Sequence, residues 1–455
     1  MEHSSPQKIK DSLLSIITNM QSQSDLFVKR PGKDFTRERK LSFSRTIQVL
    51  LAANGNTVRK ELLDFFDFTP SCISSSGFSQ QRDKILPDAF NFLFHAFTES
   101  FQNLSTYRGY RLLACDGSDL AIAYNPKDEE TYRRHNSVEL NQKGYNQLHL
   151  NALYDLQNRI YLDALVQPGR HPDEAGALIT MIKRSPLDKH TILIADRGYE
   201  CYNIFAHAQE KGWNYLIRVK DFGSRGIITN LPLPDQDEFD CKVELILTKK
   251  QTKEVKAQPE RYRYLTNKSR CDFVDLSATA FYPIEFRVVR FKITENTYEC
   301  IITNLSDVDF PPEEIKKLYG ARWGIERSFR EIKYTVGLTS FHAKKVEYIL
   351  QEIFARLTMY NFCERIVTGI ILNQNQSTKY IYQINFTVAV LICKNFFQDR
   401  IPPPNVEALI KQNVLPVREG RKAPRKVRPC SAVSLILSIL VYTFFSRMFD
   451  LCCLL

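Results

Sequence analysis

The stretch Leu318-Tyr-Gly-Ala-Arg-Trp-Gly-Ile-Glu-Arg-Ser-Phe-Arg-Glu-Ile-Lys333 organises the rest of the chain, and its pattern predicts a helix. At about 100° per residue, positions three, seven and fourteen after Tyr319 return to nearly the same side of a helix. Those positions hold Arg322, Glu326 and Lys333. One face therefore carries a phenol, a guanidinium, a carboxylate and an ammonium. Such a face suits one metal ligand and several phosphate contacts, or alternatively a solvated surface of ion pairs.

The composition favours a basic globular protein. The chain has 455 residues, of which 44% are hydrophobic and 25% are charged, and its net charge is +11. This length predicts about two to four domains. The positive charge favours a polyanionic partner, most commonly nucleic acid. The 11 cysteines are scattered without zinc-site spacing, and the N-terminus has no secretory pattern, so a reducing cytoplasm is expected.

Residues 1–105 are predicted to be helical, because apolar residues recur there with the period of a helix. A turn is predicted at residues 52–57, between two of these helices. Basic residues are concentrated in the same region. Residues 41–66 fit a helix-turn-helix that binds DNA, and they fit a plain helical bundle with a basic surface equally well.

Two apolar runs each end at an aspartate. Residues 111–115 lead into Asp116, and residues 191–195 lead into Asp196, with a glycine one or two positions later in each case. Both runs predict buried strands that end at these aspartates. Neighbouring strands of an open α/β sheet bring such residues to one edge, and the helix that carries Glu326 can pack across that edge.

The other patterns predict a mixed α/β sheet with an antiparallel β insertion. A hairpin turn is predicted at residues 156–159. Strands are predicted at residues 148–155, 160–166, 213–219, 242–248, 286–294 and 298–303, and helices at residues 172–184, 200–211, 343–369 and, with short loops, 370–415.

Three carboxylates at one edge suit Mg²⁺, which prefers hard oxygen ligands. Two such ions can activate a nucleophile and stabilise a leaving oxygen in phosphoryl transfer. Each residue alone also has a plainer explanation. Asp116 could cap a turn, Asp196 could pair with Arg197, and Glu326 could be a surface acid. The hypothesis of a metal site therefore rests on the three residues in combination.

Tyr319, Arg322, Glu326 and Lys333 have the spacing Tyr-(2)-Arg-(3)-Glu-(6)-Lys. On this signature the chain resembles the DDE transposases of bacterial insertion sequences, and more narrowly the insertion-sequence-four group. The resemblance covers roughly residues 35–430.

The two aspartate motifs of that family are also matched. Asp116 stands in Cys-Asp-Gly-Ser, and Asp196 stands in Ala-Asp-Arg-Gly-Tyr. The β-rich segment between Asp196 and Glu326 fits the family, as does the basic run from Pro416 to Lys426. Residues 430–455 are more apolar than is usual in the family.

The resemblance implies an RNase H-like catalytic core interrupted by an antiparallel β insertion, with helical N- and C-terminal regions. The expected parts are a helical DNA-binding region at residues 1–105 and the first half of the core at residues 106–220. The β-rich insertion follows at residues 221–305, the second half of the core at residues 306–370, and a helical C-terminal region at residues 371–455.

The resemblance also implies a reaction and its ligands. Asp116, Asp196 and Glu326 would be catalytic and would hold two Mg²⁺ ions, for which Mn²⁺ can substitute. The expected reaction is cleavage at terminal inverted repeats followed by strand transfer into target DNA, in cut-and-paste transposition.

The remaining signature residues are expected to bind DNA. By the same resemblance, Tyr319, Arg322 and Lys333 would contact phosphates near the cleaved end, while Trp323 is expected to be a core residue. The partners would be double-stranded DNA and a second copy of the chain in a paired-end complex, with no membrane.

Three other functions stay open. The chain could be an inactive relic that still binds DNA, or a metal-dependent nuclease of the same fold. A membrane-anchored protein is a remote fourth interpretation, because residues 432–446 are strongly apolar but shorter than a spanning helix.

Overall fold

The computed structural model describes residues 5–37, 39–134, 143–222, 226–229, 231–275, 280–295, 297–372 and 380–417. The basic run after residue 417 and the apolar stretch at residues 432–446 lie outside the described residues. Within the part that is described, no helix has both the length and the apolar character needed to cross a membrane.

The described part of residues 5–99 contains five α-helices. They are α1 (Pro6–Ser22), α2 (Phe43–Ala52), α3 (Val58–Phe65), α4 (Ser75–Arg82) and α5 (Pro87–Glu99). Ser5, Ser42 and Ser74 precede three of them, and each side chain accepts a backbone hydrogen bond from the first turn. The turn predicted at residues 52–57 lies between α2 and α3.

Ten strands form one mixed sheet among the described residues. They are β1 (Arg111–Ile122), β2 (Tyr132–Arg133), β3 (Tyr145–Asp155), β4 (Ile160–Pro168), β5 (Thr191–Ala195), β6 (Asn214–Val219), β7 (Phe239–Thr248), β8 (Tyr262–Tyr264), β9 (Phe281–Thr294) and β10 (Thr297–Thr303). Their order is β2-β3-β1-β5-β6-β10-β9-β7-β8, and β4 pairs with β3 off this path.

The first half of the sheet combines a hairpin with parallel strands. β3 and β4 are antiparallel neighbours joined across residues 156–159, where the hairpin turn was predicted. β5 is parallel to β1, and β6 is parallel to β5. The helices α6 (Glu174–Arg184) and α7 (Tyr202–Lys211) make the connections that parallel strands require. The prediction of a mixed α/β sheet is confirmed.

The second half of the sheet is mainly antiparallel. β10 pairs with β6 and with β9, and β9 pairs with β7, all in antiparallel register. A short helix, α8 (Lys253–Ala257), precedes β8, which is parallel to β7. The strands of residues 239–303 therefore continue the sheet of the first half.

The opening stretch does not form one continuous helix as predicted. It forms α9 (Pro312–Ala321) and α10 (Trp323–Glu331), which meet at Arg322, and a π-helical turn at Ile332–Val336 follows. The backbone N–H of Arg322 bonds to the carbonyl of Tyr319, three residues back, so the α-helical spacing is interrupted there. The side chains of Tyr319 and Arg322 are buried, so the alternative of a wholly solvated face is wrong.

The C-terminal part of the described chain contains α11 (Val346–Thr368), α12 (Phe386–Phe397) and α13 (Pro403–Gln412). The short strands β11 (Ile381–Ile384) and β12 (Val414–Val417) form a separate antiparallel pair. This pair was missed in the predicted helical region, because each strand has only four residues and two helices separate them. α11 is buried along most of its length and packs against α2, α5, α12 and β4.

Alternate side chains of β1 enter the cores on opposite faces of the sheet. Leu113 and Cys115 pack in the core that includes α6 and α7, whereas Ala114 packs in the core that includes α10 and α11. By the same alternation, Asp116 faces α10 and Gly117 faces α6. The alternation of β1 therefore decides which helix each residue of this edge meets.

Candidate active site

The two predicted aspartates occupy equivalent positions on neighbouring parallel strands. Cys115 pairs with Ala195 in the β1–β5 register, so Asp116 and Asp196 are the next residues on their two chains. One detail of the prediction is wrong, because β1 does not end at Asp116. It continues to Ile122, since β3 is long enough to pair with it throughout. β5 does end at Ala195, as predicted.

Asp116 is partly buried and has little positive charge beside it. Its side chain is 26% exposed and accepts the backbone N–H of Gly117 at 2.9 Å. The nearest cation is Arg322, whose Nη1 lies 3.4 Å from Asp116 Oδ2. Burial raises the pKa of Asp116 to about 6, and the negative charges of Glu326 and Asp196 add to the rise against the opposing effect of Arg322.

Arg322 joins two of the three carboxylates. It lies at the junction of α9 and α10, its side chain is 5% exposed, and its Nη2 lies 2.5 Å from Glu326 Oε1. The same guanidinium therefore contacts both Asp116 and Glu326. Burial raises the pKa of Glu326 although Arg322 opposes the rise. The two acids share one cation, which leaves an excess of negative charge.

Asp196 is better compensated than its two partners. Arg218 Nε lies 2.7 Å from Asp196 Oδ1, and the Tyr319 hydroxyl donates to the same oxygen at 3.4 Å. Burial raises the pKa of Asp196, but Arg218, Arg322 and the backbone N–H of Arg197 outweigh it and bring the pKa below its ordinary value. Asp196 is therefore ionised at neutral pH.

Arg218 was not identified from the sequence as a site residue. It stands near the carboxyl end of β6, after the buried residues Tyr215, Leu216 and Ile217, and its Nη1 also lies 3.0 Å from Glu299 Oε1. A lone arginine in a buried strand needs a carboxylate partner, and that was the signal that could have found it.

Lys333 and Trp323 lie at the border of this site. The Lys333 ammonium donates to the backbone carbonyl of Asp119 at 2.8 Å, which puts it beside β1, three residues beyond Asp116. Trp323 is only half-buried, so its predicted place in the core is wrong, and the Arg322 guanidinium lies 5.4 Å from its ring centre. Tyr319 and Arg322 thus contact the carboxylates, whereas Lys333 contacts the backbone.

The donor set suits a hard divalent cation. Asp116, Asp196 and Glu326 offer carboxylate oxygens from three separate elements, and burial raises the pKa values of two of them, Asp116 and Glu326. In the described residues, no three His, Cys, Asp or Glu side chains are close enough together to hold one ion as they stand. The Arg322 guanidinium lies between two of these acids.

A basic cleft opens beside Asp196. Its volume is about 920 Å³, and it is lined in part by Arg197, Lys220, Arg263 and Glu200. Three of these four side chains are cationic, so the cleft favours an anionic ligand next to the carboxylates.

Comparison with known proteins identifies the family. Residues 107–362, more than half of the chain, match the family model described as "Transposase DDE domain". No curated protein matches the chain. Among solved structures, the chain aligns with the cryo-EM structure of a piggyBac transposase synaptic complex with hairpin DNA. The identity is 9%, the alignment covers 96% of this chain and 88% of that chain, and the TM-score is 0.43.

Proposed function

Because the chain belongs to the transposase DDE domain family, we propose that it cleaves DNA at the terminal inverted repeats of an insertion sequence and transfers the cut strand into target DNA. The reaction is a cut-and-paste transposition. The observation that carries this proposal is the equivalent register of Asp116 and Asp196, together with the guanidinium that links Asp116 to Glu326. The spacing of Tyr319, Arg322, Glu326 and Lys333 supports membership of the insertion-sequence-four group.

The proposed catalytic core is RNase H-like and has an insertion. The strand order β4-β3-β1-β5-β6, with an antiparallel hairpin beside three parallel strands, supports such a core at residues 106–220 and 306–370. The antiparallel strands between residues 221 and 305 are the proposed insertion. The helical regions at residues 1–105 and 371–455 are proposed to flank the catalytic core on its N- and C-terminal sides.

Asp116, Asp196 and Glu326 are the residues that would hold two Mg²⁺ ions, with Mn²⁺ as a substitute. When bound, the ions supply activation of the attacking oxygen and stabilisation of the leaving oxygen. The excess of negative charge at this edge supports the assignment. Arg218 is proposed to orient Asp196, since its Nε holds one of the two carboxylate oxygens at 2.7 Å.

Arg322, Tyr319 and Lys333 are proposed to bind DNA near the cut. Arg322 has two tasks, because its guanidinium pairs with both Asp116 and Glu326 in the protein alone and can bind a phosphate oxygen in the complex. The basic cleft lined by Arg197 and Arg263 supports an anionic partner at the same edge.

The proposed partners are double-stranded DNA and a second copy of the chain. A net charge of +11 supports attraction of DNA at low salt. The second copy follows from the proposed reaction, which brings two transposon ends together before joining. The N-terminal helices, with their basic surface, are proposed to contribute to DNA binding.

The test is a cleavage and joining assay with purified protein, Mg²⁺ and a labelled duplex that contains the inverted repeat flanking the gene. The wild type is expected to cut the repeat and join it to a second DNA. Asp196→Asn is expected to bind the duplex without cutting it. The matched control is Asp188→Asn, an exposed aspartate that precedes β5, and it is expected to cut normally.

The other outcomes select between the alternatives. Binding without cleavage by the wild type would mean a relic that acts as a DNA-binding protein. Cleavage without joining would mean a nuclease of the same fold. Normal cleavage by Asp196→Asn would show that the site is wrongly assigned.

A further inference from the structure

A second group of titratable side chains lies behind the active edge, on the face of the sheet that α6 covers. It consists of His149 on β3, Asp119 on β1 and Glu174 at the start of α6, and is called here the His149 cluster. Asp119 and His149 stand opposite each other in the β1–β3 register. The cluster therefore ties two strands to a helix.

The contacts of His149 involve both ring nitrogens. Nδ1 lies 2.7 Å from Asp119 Oδ1. Nε2 lies 3.1 Å from Glu174 Oε1, and this contact is an ion pair rather than an aligned hydrogen bond. The imidazole is 7% exposed, whereas both carboxylates are partly open to solvent. A single buried ring thus bridges two acids.

The cluster touches the backbone beside both aspartates of the active edge. A Cβ atom added to Gly117 would lie 2.4 Å from His149 Nε2 and 3.0 Å from Glu174 Oε1. A Cβ atom on Gly198 would lie 3.5 Å from Glu174 Oε2. The residue after Asp116 therefore has to be a glycine for His149 to reach Glu174.

The surroundings favour a charged imidazolium. Burial lowers the pKa of His149, but the hydrogen bond to Asp119 and the negative charges of Asp119 and Glu174 outweigh it and raise the pKa to about 9. Arg133 on β2 and Lys333 after α10 face Asp119 from the other packed elements and hold its pKa down. At neutral pH the cluster is one cation between two anions, which is the arrangement that tolerates burial.

We propose that His149 is a positioning residue, which bridges Asp119 and Glu174 and so fixes the Asp116–Gly117 segment of β1 against the first turn of α6. This inference rests on the proposed function, because the purpose of the bridge is to keep Asp116 in register with Asp196. His149 acts through the backbone of β1, from the face of the sheet opposite to α10.

Histidine-selective NMR tests the bridge without any reaction. In the wild type, two buried histidines, His149 and His342, are expected to stay protonated at pH 7.5 and to lose their protons near pH 9. His149→Gln identifies the His149 signal as the one of the two that disappears. Glu174→Gln keeps the shape of the partner but removes its charge, so the same signal is expected to titrate at lower pH. A neutral His149 at pH 7.5 would overturn the inference.

Single-turnover cleavage tests the positioning role. His149→Gln is expected to cut at least about tenfold more slowly than the wild type at saturating DNA, with unchanged DNA affinity. Wild-type activity is expected to fall as the pH rises through about 9, and His149→Gln is expected to lack that decline. Glu174→Gln, whose side chain is more exposed, is expected to move the decline to lower pH and serves if His149→Gln does not fold. The matched control is His190→Gln, an exposed histidine that is expected to behave as the wild type.

Failures of the two proposals are distinguishable. If the wild type cuts and Asp196→Asn does not, while His149→Gln cuts at the normal rate with the normal pH profile, only the positioning role is overturned. If the wild type itself does not cut, the proposed function fails and the positioning role falls with it.

Discussion

Two clusters of buried charge in this molecule differ in how well their carboxylates are compensated by cations and hydrogen-bond donors. The first is the active edge, formed by Asp116, Asp196 and Glu326 with Arg322 and Arg218. The second, called here the α11 network, joins residues of α3, α4 and α11 to a loop histidine, and consists of Glu61, Arg82, His342, Glu352 and Arg356. Both contain buried carboxylates and arginines, so burial alone does not distinguish them.

The α11 network supplies each carboxylate with several donors. Glu352 accepts from Arg82 Nη1 at 2.9 Å, from His342 Nδ1 at 3.1 Å and from the His342 backbone N–H at 3.0 Å. Burial raises the pKa of Glu352, but these donors together lower it to about 2. At the active edge, Asp116 has one backbone donor and a shared guanidinium at 3.4 Å, and its pKa rises to about 6.

The difference separates a structural role from a functional one. A fully paired network holds the N-terminal helices to α11, and breaking it leaves a buried charge without a partner. An edge with too few cations is less favourable for the fold, but it leaves carboxylate oxygens with an affinity for a bound cation. Four predictions test this contrast, in order of expected size.

The largest effect is expected from Glu352→Gln. The change leaves Arg82 and His342 without their shared anion in a buried setting, so it should lower the free energy of unfolding by about 3–5 kcal/mol. Urea denaturation measures it. Glu347→Gln on the same helix is the control, because Glu347 is partly exposed and pairs with Lys29, and its cost should stay below about 1 kcal/mol. Equal costs for the two variants would contradict the structural role of the network.

The next effect concerns activity. Asp116→Asn should lower the rate of DNA cleavage by at least about 10²-fold, because it removes one of three proposed metal ligands. It should not lower stability, because a neutral amide relieves the excess charge beside Glu326. Cleavage assays and urea denaturation on the same preparation measure both. Asp237→Asn, an exposed acid in the β-rich segment, is the control. If Asp116→Asn cuts DNA well but unfolds easily, Asp116 has a structural role and not the functional one.

The two clusters should also respond to pH in opposite ways. The pKa of Asp116 in the folded protein, about 6, exceeds its ordinary value of 3.8, so its ionisation costs stability. That cost is absent below pH 3.8, grows as the pH rises and is complete above pH 6. The stability gain of Asp116→Asn over the wild type should therefore shrink by about 1 kcal/mol when the pH falls from 7.5 to 5.

The ionisation of Glu352 has the opposite effect on stability, and it acts over a lower pH range. Its pKa of about 2 lies below the ordinary 4.5, so its stabilisation is present above pH 4.5 and is lost as the pH falls toward 2. The deficit of Glu352→Gln should thus persist at both pH 5 and pH 7.5, and it should be larger at pH 5, where His342 is fully charged and has lost the partner that raises its pKa to about 9. Denaturation curves at the two pH values measure both variants. A gain in stability for Glu352→Gln, like that expected for Asp116→Asn, would mean that the clusters do not differ.

The sequence predicted the elements of the active edge better than their connections. Strand periodicity located β3, β4 and β5 and gave the hairpin turn, because these signals are local. The predicted end of β1 was wrong, because β1 is extended by its pairing with β3, which is distant in the sequence. The break at Arg322 was also missed, and no local pattern shows that the Arg322 side chain reaches Asp116, 206 positions away in the chain.

Long-range pairing also explains what was not predicted at the site. No local pattern marks Arg218 as the partner of Asp196, or His149 as the bridge between Asp119 and Glu174, because each contact joins separate elements. The α11 network was missed for the same reason. A sequence shows which residues can carry charge, whereas the fold decides which charges are compensated.

The smallest effect is expected from Lys333→Ala. The Lys333 ammonium donates to the backbone carbonyl of Asp119 at 2.8 Å and has no side-chain carboxylate in hydrogen-bond contact, unlike Arg82 of the α11 network, whose Nη1 lies 2.9 Å from Glu352 Oε1. Its charge should therefore be available to a phosphate. The change should weaken DNA-end binding and make the slope of log K against log salt shallower by about 0.9, which corresponds to one lost phosphate contact.

Fluorescence anisotropy with a labelled transposon end, at several salt concentrations, measures that slope. Lys183→Ala is the control, because Lys183 lies on α6, on the other face of the sheet, and pairs with Asp272. An unchanged slope for Lys333→Ala would mean that its charge stays with the protein. The active edge would then bind DNA through Arg322 and the basic cleft beside Arg197, and the contrast with the α11 network would rest on the carboxylates alone.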